Sequence, residues 1–461
     1  MLDKWRQARQ AIKHHWQLFR EPHLPEREEA IQRVGEALPE YVKTPIQALG
    51  AHASGCTATY KSMAKCNFSC TACYLSKEAN HTPPLPYEEV CEQIDEIRQY
   101  IGPGGNIQLT AGEVTLMPVE DLTKLVKYCV DNELSPMVMS HGDTFREDPD
   151  YLEHMMIHGG LEKVAIHVDT TQRGRIGQKK GDTEQDLNWL RDEFADMIRQ
   201  ARAKTGQTLH AAHNYTIDET NLDAVPDVMR WGLENSDAFR LMSFQPTAAV
   251  GRTRTGHITG RRELVWSKIC EGVGAKLNRH TFMFGHPDCT FLALMFVVKF
   301  DGEMHVVEVS RDNEPLDRLF IQRFAHGSLG GIVTDNMTFS EQIVMSAGRL
   351  AQEPRTVLEV LGYCGYRAWT EREWLPRLIG AMAAGRQWSI NPFAIVVHNF
   401  MSADELDTPT GQERLAACAF RLPVEGEMIP MCQMNGTDMR RELNLKAKLR
   451  LAAKRAKQKA A

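Results

Sequence analysis

The chain has 461 residues, of which 43% are hydrophobic and 25% charged, and its formal net charge is −6. These values are ordinary for a soluble globular protein of about two to three domains. The negative balance argues against a nucleic-acid binder, so no nucleic-acid partner is expected. The longest strongly apolar run, Phe291–Val298, is too short to span a bilayer, which takes about 20 residues.

The N-terminal residues Met1–Arg6 lack the apolar core of a secretory signal. The sequence therefore predicts a cytoplasmic protein, in which thiols stay reduced. In that compartment the 11 cysteines indicate metal ligands and buried thiols more than disulfides.

Residues 1–55 are predicted to be a helical segment. Trp5, Ile12 and Trp16 recur at roughly helical spacing. A proline-containing stretch interrupts this pattern, and a second helix is expected over residues 26–38.

From Thr57 onward, short β-type runs alternate with amphipathic helical runs. The strand candidates are Thr57–Met63, Asn106–Thr110, Pro136–Ser140, Lys163–Asp169, Thr208–Thr216 and Phe239–Gln245. The helix candidates are Tyr87–Tyr100, Pro118–Asn132, Asp148–His158, Thr183–Lys204 and Asn221–Glu234. This alternation indicates βαβ units and a parallel sheet, with ligands at the carboxyl ends of the strands.

Three cysteines follow the first predicted strand in a tight run. Cys66, Cys70 and Cys73 have the spacing C-x3-C-x2-C, and Tyr74 comes directly after the third. A four-iron cluster needs four ligands, so this run leaves one iron open to a non-protein ligand. A zinc knuckle is the alternative, but zinc sites usually carry a second cysteine pair that is missing here.

The run and Tyr74 resemble the signature of the radical SAM superfamily. The resemblance implies that the three cysteines hold a [4Fe-4S] cluster whose open iron binds S-adenosyl-L-methionine (SAM). It also implies reductive cleavage of SAM to a 5′-deoxyadenosyl radical, with reduced flavodoxin or a ferredoxin-type protein as electron donor. The implied fold class is α/β: a partial (β/α)6 radical SAM barrel over residues 56–255, an N-terminal helical segment and a C-terminal α+β extension.

The second predicted strand ends in a turn that contains Gly112 and Glu113. Radical SAM enzymes often carry Gly-Gly-Glu-Pro here, which holds the methionine amino group of SAM. This chain has Ala111 and Val114 in place of the first glycine and the proline. The alternative is an ordinary strand-to-helix turn with glycine in a left-handed conformation.

The third and fourth strands end in further polar residues. In the family, Ser140 and His141 would face the bound nucleoside. His167 and Asp169 share one face of the fourth strand by period-two alternation. If helices pack outside, this pair points into the lumen, where it is a candidate for proton transfer to a substrate. A structural His–Asp pair is the alternative.

The last two strands of the repeat add weaker candidates. His210 and Asn214 share one face of the fifth strand, while His213 lies on the other face and is equally compatible with the core. Gln245 ends the sixth strand, and Arg252 follows in a Gly-Arg turn that suits adenine or an anion. The full set of candidate cofactor-binding residues is Tyr74, Gly112, Glu113, Ser140, Asn214, Gln245 and Arg252.

The region 256–444 carries further cysteines, and a hairpin through Asp301-Gly302 is expected there. Cys418 and Cys432 flank a glycine-containing turn, which indicates that they meet across a hairpin. Scattered cysteines of this kind resemble the auxiliary iron–sulfur extension of many radical SAM enzymes. A second [4Fe-4S] cluster is therefore expected on Cys289, Cys418, Cys432 and, as a fourth ligand, Cys364.

Two short motifs in this region resemble the tetraether-lipid-synthase subgroup, whose members act on lipid chains. They are the His-Pro-Asp-Cys turn at Cys289 and the Pro-Met-Cys-x-Met-Asn sequence around Cys432. The rubredoxin-like N-terminal region of those enzymes is missing. Buried free thiols are the alternative to an auxiliary cluster.

Residues 445–461 form a basic tail with no acidic residue. It is predicted either to contact a membrane surface peripherally or to be a solvated, frayed helix.

The predicted activity is hydrogen abstraction from an unactivated carbon of an organic substrate such as a lipid chain. A peptide-modifying radical SAM maturase and a non-catalytic iron–sulfur electron-transfer protein stay open as alternatives.

Overall fold

The structure is a computed structural model that describes residues 25–253, 262–326 and 354–460, with isolated positions at 13–20 and 344–352. Within the N-terminal segment, the rings of Trp16 and Phe19 stack 5.8 Å apart. Trp5 and Ile12 lie outside the described residues.

The architecture is mixed α/β, built on one curled, half-barrel sheet of eleven strands. The strands are β1 (Cys56–Ala58), β2 (Asn106–Leu109), β3 (Ser135–Ser140), β4 (Lys163–His167), β5 (His210–Ile217), β6 (Phe239–Pro246), β7 (Thr290–Phe300), β8 (Glu303–Glu308), β9 (Trp388–His398), β10 (Phe420–Val424) and β11 (Glu427–Pro430). Their spatial order is β11-β10-β1-β2-β3-β4-β5-β6-β9-β7-β8. All pairs from β10 through β9 in this order are parallel, and β11, β7 and β8 pair antiparallel with their neighbours.

Helices follow most strands, and those of the β2–β6 repeat pack on one side of the sheet. They are α1 (Pro25–Ala37), α2 (Tyr87–Ile101), α3 (Val119–Asp131), α4 (Asp143–Glu147), α5 (Pro149–His154), α6 (Asn188–Thr205), α7 (Val225–Glu234), α8 (Arg262–Val273), α9 (Pro315–His326), α10 (Pro354–Thr370), α11 (Leu375–Ala383), α12 (Pro409–Ala416), α13 (Met431–Gly436) and α14 (Met439–Ala460). In α2, the residues Val90, Ile94, Ile97 and Ile101 recur at helical spacing and are buried, because they form the stripe that faces the core. None of the helices in the described ranges combines the length and apolar character that a bilayer crossing requires.

Period-two alternation separates the two faces of the sheet. On β4, Val164 and Ile166 belong to the main hydrophobic core with the helices, whereas Ala165 and His167 occupy the other face. That second face is the concave lumen of the half-barrel.

The predicted strands agree with β2–β6 to within two residues at each end. The first is shorter than predicted and ends at Ala58. The chain then leaves the ladder, and Ser62 instead donates its N–H to the carbonyl of Thr110 at 3.0 Å. The short helix α4 after β3 was not predicted.

Strands from residues 256–444 belong to the same sheet as those from residues 56–255. β9 pairs with β6, while β10 pairs with β1 and aligns Cys56 with Phe420. The expected hairpin at Asp301-Gly302 is confirmed as β7 and β8, and the turn of the β10–β11 hairpin lies between the two cysteines that flank it.

Leu422 on β10 tests this arrangement, because it is fully buried against Ala58, Met431 and Met434. Leu422→Ala should lower the free energy of unfolding by about 2–5 kcal/mol, since it leaves a cavity. The matched control is Leu449→Ala, at a side chain 71% exposed, which should change stability by less than about 0.5 kcal/mol. Urea unfolding measures both, and equal small effects would contradict the packing of β10 against β1.

Candidate active site

The cysteine run forms a loop over the carboxyl ends of the central strands. Ser69 donates its N–H to the carbonyl of Arg173, and Thr71 donates to that of Thr171, both at 2.9 Å. These bonds dock the loop on the segment that follows β4. The loop therefore lies at the edge where parallel α/β sheets hold their ligands.

The three thiols lie close enough for their charges to interact. Burial, with smaller contributions from the charges of Glu113 and Cys73, raises the pKa of the Cys66 thiol to about 12. Burial also raises the pKa of Cys70, to which Cys73 and Asp169 add. Isolated thiolates are costly here, so a metal or cluster that takes up their charge is the natural partner for this set.

Phe68, inside the run, fixes the loop by stacking. Its ring is 2% exposed and lies face to face with the His141 ring, with centroids 3.8 Å apart. The Arg175 guanidinium lies 5.3 Å from the Phe68 ring centroid. Sequence reasoning missed Phe68 and Arg175, although an aromatic residue between two candidate ligands was an available signal.

His141 holds the same loop through its Nε2. Nδ1 accepts the Asp143 N–H at 3.1 Å, which assigns the proton to Nε2, and Nε2 lies 2.8 Å from the Asn67 Oδ1. Burial lowers the pKa of this imidazole, so the neutral tautomer fits its surroundings. His141 therefore positions the cysteine run in addition to ending β3.

The Gly112 turn is fixed by close contact between two backbone segments. Gly112 donates its N–H to the Met63 carbonyl at 2.7 Å, and Glu113 donates to the Lys65 carbonyl at 2.9 Å. A Cβ at Gly112 would lie 2.3 Å from the Lys65 oxygen. Gly112 is not among the left-handed glycines, so the alternative of a left-handed turn is wrong and the requirement is steric.

The Glu113 carboxylate is buried and held by β3. Oε1 accepts the Thr115 N–H and hydroxyl at 3.2 and 2.7 Å, and Oε2 accepts the His141 N–H at 2.8 Å. A carboxylate offers about four acceptor positions. These three bonds leave one acceptor position, and the His141 Nε2 lies 3.4 Å from Oε2 beside it.

Ser140 and Tyr74 are tied to the ends of β3 and β2. The Ser140 hydroxyl accepts the Gly142 N–H at 2.8 Å. The Tyr74 hydroxyl donates to the Ala111 carbonyl at 2.6 Å and lies 3.2 Å from the Thr110 hydroxyl. Tyr74 therefore shapes the region at the strand ends. Ser140 pairs with Ile166 on the core side of the sheet, so the prediction that its side chain faces the lumen is wrong.

His167 and Asp169 are paired, with Nε2 and Oδ2 2.5 Å apart. Asp169 is fully buried and also accepts the backbone N–H groups of Thr171 and Thr216, each at 2.8 Å. Burial raises the pKa of Asp169, but the His167 charge and the hydrogen bonds outweigh it and lower the pKa to about 2. With Nε2 engaged, Nδ1 of the partly exposed His167 is the nitrogen that can meet a lumen ligand.

The remaining lumen candidates lie on β5, β6 and β9. Asn214 lies on the lumen face of β5, and Gln245 on β6 donates to the Ser243 hydroxyl at 3.1 Å. His213 faces the core instead, with its ring 5.5 Å from that of Trp231. His398 on β9, which sequence reasoning missed, follows the Phe244–Val397 pair and so neighbours Gln245.

Arg252 contacts the cysteine run directly. Its backbone N–H donates to the Cys73 carbonyl at 2.8 Å, and its Nη2 donates to the Cys73 sulfur at 3.3 Å. A Cβ at the left-handed Gly251 would lie 2.4 Å from the Tyr74 backbone. The Gly-Arg turn after β6 therefore docks on the run.

Three of the C-terminal cysteines also converge. The charges of Cys289 and Cys418 act on Cys432, and burial raises the pKa of Cys432 to about 12 and that of Cys418 to about 11. Arg414 donates its Nε–H to the Cys289 sulfur at 3.4 Å. Cys364 is exposed on α10. This helix contacts the Val309 carbonyl through Tyr363, so the structure does not bring Cys364 to the other three cysteines.

The donor chemistry of both thiol sets fits an iron–sulfur cluster. In each set, N–H groups point at sulfur: those of Phe68 and Arg252 in the first, and those of Arg414 and Met401 in the second. Such bonds stabilise cluster thiolates. Across the described ranges, no three His, Cys, Asp or Glu side chains are arranged tightly around a single metal ion.

No known family's sequence profile matches the chain, and no curated protein matches it. Three similar solved structures are of anSMEcpe. Hexahistidine-tagged anSMEcpe with bound AdoMet is 11% identical, with a TM-score of 0.33 over 46% of this chain and 55% of that chain. Native anSMEcpe with AdoMet and the Cp18Cys peptide is 12% identical, and native anSMEcpe with AdoMet 13%, both with TM-score 0.33 over 46% of this chain and 57% of theirs. The chain thus spans little more than half the length of these proteins, and function has to be inferred from the side chains.

Gly112→Ala tests the backbone contact that supports the run. The added methyl must displace the Lys65 carbonyl, so we expect a loss of about 1–3 kcal/mol in unfolding free energy, with weaker iron binding. Gly362→Ala is the control, because nothing lies within 4 Å of its Cβ position in α10. It should gain about 0.5–1 kcal/mol, and iron binding by both variants at the wild-type level would contradict the steric role of Gly112.

Proposed function

We propose that this protein is a radical SAM enzyme. The observation that carries the proposal is the docking of the three-thiol loop on the strand ends, through the Ser69–Arg173 and Thr71–Thr171 bonds. Cys66, Cys70 and Cys73 would hold a [4Fe-4S] cluster in a partial (β/α)6 barrel. When bound, this cluster and SAM supply one-electron cleavage of the sulfonium to a 5′-deoxyadenosyl radical.

The turn after β2 and the lumen face of β5 and β6 would bind SAM. The remaining acceptor position of Glu113 suits the methionine ammonium, since its other positions are filled by Thr115 and His141. Gly112 allows the turn to approach the loop. Asn214 and Gln245 would then line the nucleoside from the lumen face of the adjacent strands β5 and β6.

His167 would hold or move a proton in the lumen. Buried Asp169 orients the ring, and an imidazole held by a carboxylate is the arrangement of a general acid–base pair. The Thr216 hydroxyl lies 3.1 Å from the same nitrogen, so both neighbours of Nε2 are groups of the protein. Nδ1 is the position from which a proton would pass to or from a substrate.

The lumen face supports an apolar substrate such as a lipid chain. On this face, β7 and β9 contribute the apolar cross-strand pairs Leu292–Val396, Leu294–Ala394 and Phe296–Pro392, among others. Met137 and Met139 on β3 and Leu241 on β6 lie on the same face and are only partly buried. A hydrocarbon chain would gain by covering this surface, and abstraction of hydrogen from it would require no polar handle.

A second [4Fe-4S] cluster on Cys289, Cys418 and Cys432 is part of the proposal. Its support is the convergence of these thiols with the Arg414 donor. A flavodoxin or ferredoxin-type protein would supply the electrons, and dithionite replaces it in vitro.

Anaerobic reconstitution with iron and sulfide tests the proposal. The wild type should bind about eight irons, and with dithionite and SAM it should release 5′-deoxyadenosine, since each cluster holds four irons. Cys70→Ala should lose the first cluster and all deoxyadenosine, and Cys418→Ala only the second cluster. Cys91→Ala, a buried thiol on α2, is the control and should keep both. A loaded, reduced wild type that leaves SAM intact even with candidate substrates present would favour the electron-transfer alternative.

The substrate is tested by deuterium transfer. A lipid with a perdeuterated chain should give deuterated 5′-deoxyadenosine, and Phe296→Glu should reduce the transfer at least about tenfold because a carboxylate is costly beside an alkyl chain. Ile157→Glu is the control at another exposed apolar residue, 52% against 42% for Phe296. Transfer from a peptide instead of the lipid would favour the maturase alternative.

A further inference from the structure

Arg440 near the start of α14 is a buried cation without an acidic partner. Its side chain is 6% exposed. Nε donates to the Asn435 Oδ1 at 2.6 Å and Nη1 to the Tyr60 carbonyl at 3.1 Å, and both acceptors are neutral. Within the described part of the chain, no carboxylate lies at ion-pair distance from it. Burial of an unpaired charge costs several kcal/mol, so another group must compensate it.

The guanidinium contacts one residue beside each thiol set. Its Cζ is 4.6 Å from the centroid of the Tyr74 ring, and Tyr74 directly follows Cys73. Its Nη2 lies 3.8 Å from the Met431 sulfur, and Met431 directly precedes Cys432. The position of Arg440 is therefore fixed from both sides.

Two further contacts of α14 attach the helix to the segment that follows the cysteine run. The Asn444 amide donates to the Ser76 hydroxyl at 3.0 Å, and Arg441 lies 3.5 Å from the Glu78 carboxylate. Of the two adjacent arginines at the start of α14, Arg440 is buried, whereas the Arg441 side chain is 56% exposed. Only the charge of Arg440 is thus shielded from water.

We propose that Arg440 is a positioning residue whose buried charge compensates an anionic iron–sulfur cluster on Cys66, Cys70 and Cys73 and raises its reduction potential. The inference rests on the proposed function. Three thiolates give an oxidised [4Fe-4S] cluster a net negative charge, and reduction adds one more. A fixed cation in a medium of low dielectric constant stabilises the reduced state more than the oxidised one.

The redox step itself is simple. One electron passes from dithionite to the cluster, no proton is taken up, and no bond forms or breaks. Arg440 keeps its charge throughout, because a guanidinium does not lose its proton in proteins. Its effect is therefore electrostatic and should depend on charge more than on side-chain shape.

The experiment is a potentiometric titration of the reconstituted protein followed by electron paramagnetic resonance. Arg440→Met should lower the midpoint potential of the first cluster by at least about 59 mV, a tenfold change in the equilibrium constant for one electron. Arg440→Lys should shift it much less, because the charge stays. Arg441→Met, the exposed neighbour, should leave it unchanged.

A stability measurement gives a second, independent readout. If the cluster compensates Arg440, loading with iron should raise the melting temperature more in the wild type than in Arg440→Met. Equal potentials in a loaded wild type and a loaded Arg440→Met would overturn the role of Arg440 and leave the proposed function intact. A wild type that loads no cluster would overturn the proposed function and this inference with it.

Discussion

The close approach of two backbone segments at Gly112 is the constraint on which the candidate site depends. The turn after β2 contacts the chain segment that enters the cysteine run. At Gly112 in this turn, a methyl group would overlap the Lys65 oxygen. Glu113 then reaches the end of β3, and His141 reaches back to Asn67 in the run. Three elements that are separate in sequence are locked into one unit, and a shift of any of them moves the thiols.

Arginines are the second recurring element of the site. Arg252 and Arg414 each donate an N–H to a cysteine sulfur, and Arg175 packs against Phe68. Each comes from a different part of the chain, and Arg252 and Arg414 place positive charge directly beside a thiol. The fold thus brings cations from distant segments to both thiol sets, as expected where charge has to be stabilised in a buried place.

The sequence predicted the local elements well and the long-range contacts poorly. β2–β6 follow from alternation of apolar residues, because one face of each strand packs under helices. The end of β1 at Ala58 did not follow, since its neighbour β10 lies far along the chain. The hairpin turn predicted the convergence of Cys418 and Cys432. The approach of Cys289 and the contact of Arg440 with Tyr74 could not be predicted, because they join segments that are distant in sequence and no local pattern indicates such contacts.

The pairing of β1 with β10 also has a consequence for biosynthesis. The strand that leads into the cysteine run is flanked on one side by residues near 420, so the ribosome must complete nearly the whole chain before that side of β1 is covered. Contacts of such long sequence separation form late and slowly. Until then the cysteine run follows a strand whose sheet edge is unfinished. The fold thereby completes the surroundings of the three thiols only once nearly all of the chain has been made.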